Sequence, residues 1–100
     1  MTDREMLELA ARAAGITCWH GVPYTNGRIW DPLDDDGDAL RLAVKMGLCL
    51  DFARGWTAAY AGSRTAEQIS ERHNDSPYAA TRRAIVRAAA EIGRQMEETT

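Results

Sequence analysis

Cysteine and histidine are scarce in this chain. It has two cysteines, Cys18 and Cys49, and two histidines, His20 and His73. A zinc site needs three or four ligands at close spacing, and no such group forms here. No G-x-S-x-G elbow and no phosphate loop with its lysine is present, which removes the common serine-hydrolase and nucleotide-hydrolase signatures. Long apolar runs are missing too, and nothing approaches the roughly 20 residues that span a bilayer. The first stretch, "MTDREMLELAARAAG", is charged and lacks the apolar centre of a secretory signal. Strong charge of one sign is absent: the net value is -3, too mild to argue nucleic-acid binding by itself. The expectation is a protein of a reducing compartment, with both thiols unpaired as small core or strand residues. No nucleophile and base can be paired along the chain, so the expectation is also no enzyme, no metal and no cofactor.

What remains is ordinary globular material. Hydrophobic residues make up 45% and charged residues 27% of 100 residues, enough for one domain spanning 1–100. Residues 2–14 read as a helix capped by Thr2 and Glu5 and stopped by Gly15, with Met6, Leu9, Ala10, Ala13 and Ala14 on one stripe. "ITCWHGVPYTNGRIW" reads as a hairpin, strands near 16–20 and 27–30, because Asn26-Gly27 favours a tight turn. Ala39, Leu40, Ala43 and Val44 with Gly47 describe a short helix and its stop. "LCLDFA" and "WTAAYA" alternate as a second hairpin, placing Leu48, Leu50 and Phe52 on one face. "EQISERH" fits an edge strand or a loop. The final helix starts at Asp75 or Ser76 with Pro77 in the first turn, and puts Tyr78, Ile85, Ala88, Ile92 and Met96 on its inner face. The fold class expected is α+β: a small, mostly antiparallel sheet of two hairpins against an N-terminal, a short central and a long C-terminal helix.

"DPLDDDGDAL" places five aspartates in ten positions. If Gly37 were the sixth residue of a calcium loop, Pro32 and Ala43 would stand at the first and twelfth, and neither can ligate. Helix capping by Asp35, with Asp38 in the first turn, accounts for two or three of the carboxylates. The surplus leaves Asp34, Asp35, Asp36 and Asp38 as a candidate acidic patch for a basic partner surface. On the last helix Arg83, Arg87 and Arg94 fall within about 40° of one another. They form either a solvated stripe with Arg87–Glu91 and Arg94–Glu98 pairs or a contact for an anionic partner. Trp56 and Tyr60 are aromatic candidates, either packed in the sheet or exposed for binding.

Three stretches carry a family resemblance: "MTDREMLELAARAAGI", "WDPLDDDGDALRLAVKMGL" and "YAATRRAIVRAAAEIG". Together they resemble the small phage and prophage proteins of the phage αβα-sandwich domain family. The segment "ARGWTAAYAGSRTAEQISERHND" departs from that pattern. The resemblance implies an α/β fold, a phage or prophage origin and residence in the bacterial host cytoplasm, and it implies no reaction. It leads to the expectation of a non-enzymatic accessory protein that binds a host defence protein or complex, in the manner of an anti-CRISPR inhibitor acting on a Cas subunit, without binding nucleic acid directly. Two other readings stay open. One is a sponge for a nucleotide-like immune signal, using Trp56, Tyr60 and Arg83. The other is a phage regulatory or assembly adaptor.

Overall fold

Helix ends are set by local chemistry. In the computed structural model, which describes residues 1–61 and 68–98, α1 spans Asp3–Ala14. The Thr2 hydroxyl accepts from the Glu5 N–H at 3.1 Å, and Gly15 ends the helix at a φ of 72°. α2 (Asp36–Met46) begins at Asp35, whose carboxylate accepts from the Asp38 N–H at 2.7 Å, and ends at Gly47. α3 (Pro77–Glu98) begins after Ser76, whose hydroxyl accepts from the Ala79 N–H at 3.1 Å.

Among the described residues the strands form two three-stranded antiparallel sheets, where the sequence suggested one sheet of two hairpins. β1 (Cys18–Trp19), β2 (Val22–Thr25) and β3 (Arg28–Ile29) make the first. The Asn26-Gly27 turn is as expected, with φ of 52° and 76°, but it joins β2 to β3, so residues 16–20 are not its first strand. β4 (Leu48–Ala53), β5 (Trp56–Ala61) and the edge strand β6 (Ile69–Arg72) make the second. Gly55, at a φ of 90°, closes the β4–β5 hairpin.

α3 lies between two packed layers. Ile85, Val86, Ala89 and Ala90 meet Met6, Ala10 and Ala11 of α1, Ala39, Leu42 and Ala43 of α2, and the buried Trp30. Ala84 and Ala88, on another face of the helix, meet Ala59 of β5, flanked by Leu48, Leu50 and Ile69. Small residues let backbones approach: a Cβ placed on Gly93 would stand 2.0 Å from the Leu9 carbonyl oxygen. The single inner stripe expected for α3 therefore holds only in part. Ile85 and Ala88 are buried, Ile92 is half-buried, and Tyr78 and Met96 are exposed. A helix buried on two sides needs alanine more than a leucine stripe. Phe52, read on one face with Leu48 and Leu50, is also exposed, as are Leu40 and Val44 of the α2 pattern, because no described element covers them on that side. Cys18 and Cys49 are free and exposed on strands rather than in the core. Among the described residues, no helix is long and apolar enough to cross a membrane. Residues 62–67, inside the divergent middle segment, and the tail residues 99–100 lie outside the described residues.

Candidate functional site

The aspartate run folds around one buried carboxylate. Asp38 is 1% exposed. Its oxygens accept from Arg28 at 2.6 and 3.2 Å, from Arg41 at 2.9 Å and from the Asp31 N–H at 2.9 Å. Burial acts to raise the Asp38 pKa. The Arg28 fork, the Asp31 amide and Arg41 overcome it and hold the carboxyl at about 2. Asp38 thus ties the β3 hairpin to the start of α2, and the turn at 31–35 to both.

Its neighbours are occupied in different ways. Asp35 is the α2 cap and lies 3.9 Å from Arg41. Asp36 accepts from Arg82 of α3 at 2.6 Å, while the same guanidinium donates to the Leu33 carbonyl at 2.8 Å. Asp31 is pushed up by burial and then by the Asp34 charge. Of the expected acidic patch, only Asp38 is buried; Asp34, Asp35 and Asp36 stay exposed, but Asp35 and Asp36 are tied to the fold by the cap and by Arg82. Asp35, Asp36 and Asp38 serve the fold, and Asp34 is the exposed member of the four without an arginine partner among the described residues.

The basic stripe is likewise engaged. Arg83 donates to Asp3 at 3.0 Å and lies 3.8 Å from Glu71. Arg87 pairs with Glu71 of β6 and reaches the Ser70 carbonyl at 3.2 Å, in place of the Arg87–Glu91 pair expected along the helix. Arg94 pairs with Glu98, as expected, and also with Glu91. The Arg83 and Arg87 pairs staple α3 to β6 and to α1, while the Arg94 pairs lie within α3. Tyr60 is half-buried on β5 with Asp51 beside it, whose hydrogen bond and charge raise the phenol pKa. Trp56 is 41% exposed at the start of β5. Trp56, Tyr60 and Arg83 do not converge. Trp56 pairs in register with Arg72 and Tyr60 with Cys49, while Arg83 is held on α3 by Asp3 and Glu71.

Two surface features emerge that the sequence reading did not assemble. The first is an apolar groove of about 390 Å³ between α2, β4 and the start of α3. Leu40, Phe52 and Tyr78 converge on it while being 61%, 66% and 72% exposed. Leu50 and Ile85 also line it, and Asp36, Arg82, His73 and Thr81 are its polar lining. Val44, one turn beyond Leu40, continues the exposed stripe of α2. A signal existed: Leu40 and Val44 are four apart, on a different face from the buried pair Leu42 and Ala39. The second feature is a larger cleft beside Asp38, lined by residues of α1's end, the β2–β3 hairpin and α2.

His73 also belongs to a chain of hydroxyls. The Thr81 hydroxyl donates to the Pro77 carbonyl at 2.8 Å, which uses its only proton. Thr57, fully buried and 3.0 Å away, must then donate to the Thr81 oxygen. The Thr57 oxygen is left to accept from His73 Nε2–H at 2.7 Å. A histidine that donates to a threonine cannot remove its proton, so this pair is wired for structure rather than as nucleophile and base. Among the described residues, no group of three or more His, Cys, Asp or Glu could hold a metal ion.

Comparison with known protein families, with curated proteins and with solved structures finds no match for this chain.

Proposed function

We propose that this protein is a non-enzymatic phage or prophage accessory protein that binds a host defence protein, as a counter-defence inhibitor of the anti-CRISPR type. One observation carries the binding part: Leu40, Phe52 and Tyr78 come from three elements, converge on one groove, and remain largely exposed. Soluble domains seldom leave large side chains converging in water without a partner, and aromatic anchors in pockets dominate protein interfaces. The family resemblance of the sequence supplies the host context, the bacterial cytoplasm. The acidic run contributes Asp36, paired with Arg82, to the polar lining of the groove, while Asp35 and Asp38 hold the fold.

The test is a tagged pull-down from a CRISPR-positive bacterial host at low and high salt, with bound proteins identified by mass spectrometry. An apolar contact predicts recovery of a Cas subunit at both salt concentrations, since salt screens exposed charge pairs but not buried apolar area. Recovery of the bait alone, or of a Cas subunit that Phe52→Ser and Tyr78→Ser retain as well as the parent, overturns the reading.

A further inference from the structure

The cleft beside Asp38 has a volume of about 700 Å³, within the range of small-molecule sites. α2 supplies one wall with Asp38, Arg41 and Lys45, which are three and four residues apart and so share a helix face. Arg28 reaches in from β3, Tyr24 and Asn26 stand at the hairpin, and Trp30 closes the inner end. Three cations thus face one carboxylate. Asp35, outside the lining and 3.9 Å from Arg41, offsets a second charge, and the cleft still keeps a positive excess on a protein whose net charge is -3.

The cations are also held in place. Both guanidiniums bind the same buried carboxylate, which fixes them while their side chains remain 50% and 65% exposed. Each keeps N–H groups facing water. Lys45 has no hydrogen-bond or ion-pair partner among the described residues. Its place in the last turn of α2 complements the helix dipole, but that leaves the ammonium itself unengaged. Arginine pairs oriented by a carboxylate, with a free lysine beside them, match the donor geometry of phosphate oxygens. Tyr24, 40% exposed, offers a ring face within the same cleft. Asp35, 3.9 Å from Arg41, disfavours an extended polyanion running past that edge, so a compact ligand fits better than a nucleic-acid strand.

We infer that this cleft binds a small phosphorylated ligand of nucleotide size, its phosphates on Arg28, Arg41 and Lys45 and its ring on Tyr24. The site is separate from the apolar groove, so its test stands apart from the partner-binding proposal. It also differs from the Trp56, Tyr60 and Arg83 set suggested by sequence.

The experiment is isothermal titration of the whole chain with the four common nucleoside diphosphates, with pyrophosphate and with inorganic phosphate. A 15N-labelled sample reports which amides move. The result expected is that at least one diphosphate binds more tightly than pyrophosphate and shifts amides at 24–28 and 41–45. Lys45→Gln, which breaks no internal bond, should leave the melting temperature unchanged and weaken that binding about tenfold or more. Tyr24→Leu should reduce binding of the nucleotide but not of pyrophosphate. No binding at millimolar concentration, equal binding by Lys45→Gln, or a preference for pyrophosphate over every nucleotide overturns the inference.

Discussion

Replacing Asp38 by Asn probes the joint on which the α2 surface depends. Asn keeps the shape and one acceptor for the Asp31 N–H but removes the charge that holds Arg28 and Arg41. The folded carboxyl sits at about 2 against an ordinary value near 3.9, which converts to about 2.5 kcal/mol. Arg28 and Arg41 are half-exposed or more, so water replaces part of the lost interaction, and about 1–2 kcal/mol is the expected loss. For a domain of this size that lowers the melting temperature by roughly 5–15 °C. The sign with pH follows from the lowered pKa. The stabilisation is present above the unfolded value and is lost as pH falls through about 2. Urea unfolding of parent and variant between pH 5 and pH 2 should show a gap that narrows steadily toward pH 2. A gap below about 0.5 kcal/mol at pH 5, or one that stays constant across that range, refutes the reasoning.

The α1–α3 contact predicts that Gly93→Ala forces the helices apart at Leu9 and costs about 1–3 kcal/mol in urea unfolding. The hydroxyl chain predicts that neutral His73 is the Nε2–H tautomer, readable from ring 15N shifts; the Nδ1–H tautomer would contradict the chain. Asp35→Ala should cost about 1 kcal/mol through the lost cap, whereas Asp34→Asn should leave stability within about 0.5 kcal/mol, both by denaturant unfolding.

Elements with local signals were legible before the structure. Thr2, Asp35 and Gly47 announce helix ends because capping is decided within a few residues. Asn26-Gly27 and Gly55 announce turns because positive φ selects those residues. The α+β class follows from these elements. The faces were harder. Alternation in "LCLDFA" gives a face to Phe52, but whether another element covers that face is a property of the assembled chain. On α3, alanines carry no preference for one side, so a helix buried on two sides reads as having one apolar stripe. The aspartate run was read correctly at Asp35 and in the placement of Asp38 in the first turn. Its surplus is not a free patch, because the arginines that neutralise Asp38 and Asp36 lie at 28, 41 and 82, and only folding brings 28 and 82 there. In the basic stripe the Arg94–Glu98 pair was legible from spacing, but the partner of Arg83 and Arg87 was not, since Glu71 reaches them from another element.

The groove of Leu40, Phe52 and Tyr78 is the centre of the functional account. The most direct measurement is phage plaquing on a CRISPR-protected host that expresses this protein or its Leu40→Ser, Phe52→Ser and Tyr78→Ser combination. All three side chains are largely exposed, so the combined variant should melt within a few degrees of the parent. The account predicts that the parent restores plaquing and the folded variant does not. A parent that leaves host protection intact, or a variant that restores plaquing equally, contradicts it.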